Sequence, residues 1–329
     1  MGKLQEFTSL KEKQRSFRNH EIFQIDTKNQ FDDWFDQIVS QKAENRTNFI
    51  FRGMKEAKHK LYTSSQRQWI QNDMKDWRGA DYFSFINSLV QKAKNYHLIK
   101  KVFDTYGYSL IQREFPILSI LQHYGAPTPL MDWTYNVNVA LFFGTEGLLS
   151  GYGGRGNINN YFSIYCIDKA LYKNEFLNIR DFTLKQSKSF MDFKDWKEDS
   201  RSPNKNNIFY ISDFDNGNSG IVPTTARITI VNDKHLTSIY NQNIIPQEGL
   251  FIFNPFSDKS IDQVFNIEKH SEGSNLVLGP FDCINIRKDL SDYIRRRIKY
   301  NSKIENSFIY PHLYNDAKVI LNDTLNSFV

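Results

Sequence analysis

The stretch QHYGAPTPLMDWT, residues 122–134, decides the fold because it places a stiff turn between two apolar segments. Its two prolines and its glycine predict the turn. The segment REFPILSILQH (113–123) predicts a helix with Pro116 in the first turn. The segment NVNVALFFGTEGL (136–148) predicts a second, apolar helix. A turn so rich in special residues indicates a functional as well as a structural role.

Helices dominate the predicted structure of the first half of the chain. Apolar residues recur at helical spacing over residues 30–43, and residues 66–104 predict two further helices. Between these segments, residues 48–51 predict a strand that ends at Gly53.

Strands dominate the predicted structure after residue 160. Five segments there are rich in β-branched and aromatic residues, namely 161–168, 207–213, 226–233, 249–255 and 275–286. Two helices are predicted beyond them, at 287–300 and 315–326. This order predicts the α+β class, with a helical N-terminal half packed on a mostly antiparallel or mixed sheet.

The composition indicates a globular protein. Of 329 residues, 40% are hydrophobic and 24% are charged, and the net charge is +5. Apolar runs fall far short of the roughly 20 residues that a membrane-spanning helix needs, so no membrane contact is expected. Cys166 and Cys283 are expected in the core of a protein from a reducing, cytoplasmic compartment. The scattered histidines match no metal-binding motif, and no metal site is predicted.

Two segments of the first half are candidates for chemistry. Phe51-Arg52-Gly53 ends a predicted strand, where an arginine can bind an anion bidentately or can lie on the surface before a turn. The second candidate is the stiff turn, which brings His123, Asp132 and Thr134 within a short and rigid stretch of chain. Asp132 or Thr134 could equally cap the next helix, and Trp133 could belong to the core.

Two segments of the second half are further candidates. Gln247 and Glu248 lead directly into a predicted strand. Glu248 could act as an acid or base or bind a ribose, and the pair could also be a solvated strand start. The basic run Arg295–Lys299 lies on a predicted helix, as a solvated face or as a patch for RNA or an acidic partner.

These segments together resemble the FRG domain family. The family is named for a Phe-Arg-Gly triplet and has a Q-H-x-G-x-P-T-R-L-L-D-W-T motif before an apolar helix, like residues 51–53 and 122–134 here. A Gln-x-Gly-x-Phe strand resembles residues 247–251, and a tail pattern resembles residues 284–298 and 309–320.

The resemblance implies a single FRG domain over residues 20–329, after a basic and solvated lead-in at 1–19. One position departs from the family pattern. Pro129 stands where the family has an arginine, so Arg52 or Arg113 would have to supply its charge. The family resemblance also implies a bacterial or phage protein that acts in defence or toxin–antitoxin conflict.

The layout is more loosely similar to that of ADP-ribosyltransferases. That similarity implies an NAD-dependent transferase or NAD glycohydrolase, with NAD as substrate, a protein or nucleic acid as acceptor and an antitoxin or regulator as partner. It implies catalytic roles for Arg52, Thr134, Gln247 and Glu248. The residues implied to hold the nucleotide are Arg52, Gly53, His123, Tyr124 and Asp132, with Tyr124 stacked on the nicotinamide.

Two other functions are compatible with the same residues. One is a binding module for nucleic acid or protein, for which the run Arg295–Lys299 should be an exposed basic stripe. The other is a hydrolase or nuclease that uses His123 and Asp132. The hypothesis of an enzyme that acts on NAD instead predicts one cleft lined by five side chains, those of Arg52, His123, Asp132, Thr134 and Gln247.

Overall fold

The computed structural model describes residues 2–17, 22–44, 49–77, 81–105, 114–148, 154–168, 246–254, 256–265 and 281–310. The strands in these ranges are β1 (Gln24–Ile25), β2 (Phe49–Met54), β3 (Leu130–Thr134), β4 (Tyr161–Asp168), β5 (Gly249–Phe253) and β6 (Phe281–Arg287). The helices are α1 (Leu10–Gln14), α2 (Lys28–Glu44), α3 (Ser64–Gln71), α4 (Tyr82–Asn95), α5 (His97–Thr105), α6 (Glu114–His123), α7 (Val137–Thr145), α8 (Ile261–Phe265), α9 (Ser291–Ser302) and α10 (Asn306–Ile309). None of these helices is long and apolar enough to cross a membrane.

The described strands form one mixed sheet in the order β1-β6-β4-β2-β3-β5. β1 runs parallel to β6, and the other four ladders are antiparallel. Helices and a mixed sheet together confirm the predicted α+β class.

Apolar side chains cover both faces of the sheet. β4 lies inside the sheet, and each of residues 161–167 is buried. One face packs against α2, α7 and α9. The other face packs against the N-terminal segment and the chain around Ala57 and Leu61. A third cluster joins α3, α4, α5 and α6 to β3 and to the edge strand β5.

The N-terminal segment belongs to the core, so the prediction of a solvated lead-in at 1–19 is wrong for its described residues. Phe7, Leu10 and Phe17 are buried against the sheet. Lys13 is fully buried as well, and its Nζ donates to the carbonyl of Ala57 and to Oγ of Ser163, both at 2.7 Å. A lysine among charged and polar neighbours is expected to be solvated, but here one acceptor on β4 and one in the chain after β2 bind its ammonium group.

The structure differs from the predicted elements at two further places. The stretch interpreted as a pure turn ends in strand β3, because Leu130–Thr134 forms a full ladder with β5. Residues 66–104 contain parts of three helices rather than two. The strands predicted at 207–213 and 226–233 and the helix predicted at 315–326 lie outside the described residues.

Candidate functional site

The Phe-Arg-Gly triplet lies on β2, where Phe51 and Gly53 face one side of the sheet and Arg52 faces the other. Successive residues of a strand face opposite sides of the sheet. Phe51 is fully buried under α7. Gly53 faces the same helix so closely that a Cβ atom there would lie 1.9 Å from the carbonyl oxygen of Ala140. Glycine is therefore required at this position for the packing of α7 on β2, whatever it contributes to a ligand.

Arg52 lies where the sheet opens. β2 pairs with β4 over six positions but with β3 only through Phe51 and Thr134. Just beyond that pair, the guanidinium group of Arg52 donates through Nη1 to the backbone carbonyl of Asp132. The Nε atom of Arg52 is buried, so this residue is not the surface arginine that the sequence allowed as an alternative.

The charges around Arg52 act in opposite directions. Burial lowers the pKa of the Arg52 guanidinium, the charge of Asp132 raises it, and the charge of Arg67 lowers it further. Arg67 is a second arginine near the site and donates to the carbonyl of Tyr62 at 3.1 Å. No sequence pattern singles it out.

A cleft of about 900 Å³ opens at this point. Five predicted residues from three distant segments line it, namely Arg52, His123, Asp132, Thr134 and Gln247. Gly53 also lines it, whereas Tyr124 and Glu248 do not. The structure thus brings together the five side chains that the sequence analysis placed in one cleft.

Asp132 presents an exposed carboxylate to this cleft. Its Oδ2 atom accepts a hydrogen bond of 3.0 Å from Nε2 of Gln122. Gln122 is itself held by Thr128, whose hydroxyl donates to Oε1 at 2.5 Å. The Gln-His and Pro-Thr parts of the motif therefore orient the carboxylate, a role for Gln122 that the sequence analysis missed.

His123 and Tyr124 lie at the end of α6 and have different positions. Burial lowers the pKa of His123, and the charge of Asp132 raises it in part, so the imidazole is neutral near pH 7. The ring of Tyr124 meets that of His123 edge-on, with 5.0 Å between centroids, and 73% of the tyrosine is exposed. The predicted stacking of Tyr124 on a nicotinamide stays a prediction, on a side chain outside the cleft lining.

The hydroxyl of Thr134 is used within the protein. It donates to the carbonyl of Gln247 at 2.6 Å and accepts from the backbone N–H of Asn136 at 2.9 Å. Asn136, rather than Asp132 or Thr134, is the N-cap of α7. Thr134 therefore fixes the junction between β3 and α7 to the start of β5.

Gln247 and Glu248 complete this junction. Nε2 of Gln247 donates to the carbonyl of Ile309 at 3.1 Å, which ties the turn to the C-terminal segment. Glu248 has a left-handed backbone with a φ of 46°, and its Oε1 accepts from Nδ2 of Asn136 at 2.7 Å. Gln247 thus lines the cleft, whereas the carboxylate of Glu248 supports the cap of α7 outside it.

Several cleft residues escaped the sequence analysis because they come from irregular chain. Lys55, Glu56 and His59 follow β2 and line the cleft. Lys55 pairs with Glu146 at 3.2 Å, and Glu56 pairs with the buried Lys288 at 2.7 Å. These contacts span distant parts of the sequence, and no local pattern marks them.

Tyr310 also lines the cleft, and in this case the sequence contained a pattern that marks the residue. The tyrosine opens the Tyr-Pro part of the tail pattern. Its hydroxyl donates to Glu146 at 3.2 Å, and burial, followed by the charge of Glu146, raises its pKa to about 12.

The basic run Arg295–Lys299 does not form the uninterrupted basic stripe expected of a nucleic-acid surface. Arg297 pairs with Asp32 at 2.9 Å and Asp36 at 2.8 Å, and Ile298 is buried. Lys299 pairs with Glu305 at 2.7 Å. Acids of the same chain thus neutralise part of this run.

Comparison with known families relates one part of this chain to a family model. A family model described as the FRG domain matches residues 47–150. The match contains the Phe-Arg-Gly triplet and the stretch 122–134, while the wider extent 20–329 stays a prediction. The chain matched no curated protein and no solved structure. In the described residues, no group of three or more His, Cys, Asp or Glu side chains could hold a metal ion.

Proposed function

Since this chain contains an FRG domain, we propose that the cleft at Arg52 binds NAD and cleaves the bond between its nicotinamide and ribose. The observation that carries the proposal is the convergence of Arg52, His123, Asp132, Thr134 and Gln247 on one cleft. A volume of about 900 Å³ is within the range of pockets that hold ligands of this size.

Arg52 is the group that binds the anionic part of the substrate. Its described hydrogen bond uses one Nη1–H of the five N–H groups that an arginine carries. Guanidinium groups bind phosphate oxygens through paired hydrogen bonds, and burial strengthens such contacts. The pyrophosphate of NAD is accordingly assigned to Arg52.

Asp132 is the carboxylate that acts on the ribose. When the bond between nicotinamide and C1′ breaks, its electron pair goes to the ring nitrogen, and the ribose becomes an oxocarbenium ion. A carboxylate beside C1′ stabilises that cation, as in glycoside cleavage. The similarity to ADP-ribosyltransferases implied Gln247 or Glu248 in this role, and we assign it instead to Asp132, because the Asp132 carboxylate lies in the cleft and the Glu248 carboxylate does not.

The second half of the reaction needs a nucleophile. Water attacks C1′ and yields ADP-ribose, while its proton passes to His123, which is neutral near pH 7. A hydroxyl or amine of a protein or nucleic acid in place of water gives ADP-ribosyl transfer. A role in defence or toxin–antitoxin conflict stays a prediction.

Nicotinamide release tests the reaction directly. Purified protein is incubated with NAD, alone and with cell lysate, and nicotinamide is followed by chromatography. Arg52→Ala and Asp132→Asn are expected to abolish release, whereas Arg155→Ala, at an exposed arginine outside the cleft, is expected to retain it. Absence of release from the wild type under both conditions contradicts the proposal.

A second candidate is a hydrolase in which His123 is the base and Asp132 orients it. It is favoured by the lowered pKa of His123 together with the partial upward shift that Asp132 causes. This enzyme would cleave a phosphodiester probe in a reaction lost in His123→Ala and would leave NAD intact.

A further inference from the structure

Two buried N–H groups at the cleft lack hydrogen-bond acceptors. They are Nε of Arg52 and Nε1 of Trp133, and neither has a partner in the part of the chain that the structure describes. Both residues line the cleft. A buried donor without an acceptor costs about 1–3 kcal/mol, and native proteins keep few of them. Two at one cleft indicate a ligand atom that accepts from both.

The register of the sheet places these two donors side by side. Phe51 pairs with Thr134 across β2 and β3. Arg52 follows Phe51, and Trp133 precedes Thr134, so both side chains leave the sheet on the same face. Ile50, two residues before Arg52, belongs to the same core cluster as Trp133, as this alternation requires.

The chemistry of the two groups defines what they bind. An indole N–H and a guanidinium N–H are donors only, so the ligand atom must be an acceptor, and the arginine charge favours an anionic one. We propose that Arg52 Nε and Trp133 Nε1 together bind one phosphoryl oxygen of the ligand. Trp133 is thereby a binding residue in addition to a core residue.

This subsite rests on the proposed function in one respect, which is that the phosphoryl group belongs to the pyrophosphate of a dinucleotide. Both residues line the cleft, so we expect the oxygen to reach the two nitrogens when the Arg52 side chain turns from the Asp132 carbonyl, its described hydrogen-bond partner. Turning exchanges a neutral acceptor for a charged one, which strengthens the bond.

Calorimetric titration tests the subsite with ADP-ribose, inorganic pyrophosphate and adenosine as probes. The wild type is expected to bind the two phosphorylated probes and not adenosine. Trp133→Phe keeps most of the ring and removes the N–H, and should bind ADP-ribose about 10- to 100-fold more weakly. Arg52→Lys keeps the charge, lacks the Nε–H and should weaken binding in the same way. The control is Trp69→Phe, at a buried tryptophan that does not line the cleft, and it should bind like the wild type.

The melting temperature of the unliganded protein separates binding from structure. Trp133→Phe leaves a small cavity because the ring is buried, so it should melt below the wild type by about as much as Trp69→Phe and no more, since the lost N–H has no described acceptor. A melting temperature well below that of Trp69→Phe would reveal a structural partner and overturn the proposal. So would ADP-ribose binding to Trp133→Phe at wild-type affinity, or a wild type that binds neither phosphorylated probe.

The outcome for this subsite is independent of the outcome for the reaction. Binding that follows the expected pattern without nicotinamide release would refute the proposed reaction and leave the subsite intact. Nicotinamide release by a protein whose Trp133→Phe variant binds ADP-ribose normally would refute the subsite alone.

Discussion

Replacement of Gly53 by alanine tests whether the triplet glycine is required for packing. The added Cβ would lie 1.9 Å from the Ala140 carbonyl oxygen and 2.5 Å from the Gly144 amide nitrogen. Ordinary contact begins near 3.4 Å, so the closest pair falls about 1.5 Å short of it. Both neighbours are backbone atoms of α7, so no side-chain rotation relieves the clash and the helix itself must move.

We expect Gly53→Ala to lower the free energy of unfolding by about 3 kcal/mol, the upper end of the range for overpacked cores. Urea denaturation monitored by circular dichroism measures it. Gly144→Ala is a graded comparison, because its Cβ would meet the ring of Phe162 at 3.0 Å and should cost less. Gly154→Ala is the neutral control, since nothing lies within 4 Å of its Cβ. Equal midpoints for Gly53→Ala and Gly154→Ala would refute the packing argument.

Further predictions follow from three individual side chains. Lys13→Ala should cost about 3 kcal/mol through a cavity and two lost hydrogen bonds, and Lys13→Met should cost less, both measured by urea denaturation. Burial lowers the pKa of Lys13 below 10.5, so the unfolded chain binds this proton more tightly, and wild-type stability relative to Lys13→Met should rise as the pH approaches 10.5. Glu248→Ala should have a lower melting temperature than Glu248→Gly, because only glycine adopts a φ of 46° without strain. Both variants should turn over NAD like the wild type. Loss of turnover without loss of stability would show that Glu248 is a catalytic group. Burial lowers the pKa of His123 below 6.5, so wild-type stability should fall as the pH drops through 6.5, and His123→Gln should fall less in the same titration.

The sequence predicts the elements whose patterns are local. The helices α2, α6 and α7 and the strands β2, β4 and β5 confirm their predicted positions. β3 was missed because its burial does not alternate: within Leu130–Thr134, Asp132 alone is exposed, and the preceding prolines and glycine indicate a turn. A strand buried on both faces has no period of two to reveal it.

The site is predictable to the extent that short motifs mark it. Arg52, His123 and Asp132 were found because each lies in such a motif. His59 and Arg67 were not, because the path of the chain after β2 brings them close and no spacing records that path. The motif around Glu248 was found, but its role was misplaced, since sequence does not show which of two adjacent side chains faces the cleft.

The same motifs contain residues that support the fold and residues that meet the ligand, and the size of the stability change relative to the loss of affinity separates them. Thr134 has a hydroxyl that is bonded on both sides within the protein, so its removal should lower stability and disturb the cleft together. Trp133 and Arg52 carry buried N–H groups without described acceptors. Loss of such an N–H breaks no described hydrogen bond of the unliganded protein, so affinity should fall by far more than the accompanying loss of packing lowers stability. A variant whose loss of activity is matched by its loss of stability therefore identifies scaffold, whereas a variant that loses far more activity than stability identifies a residue that contacts the ligand.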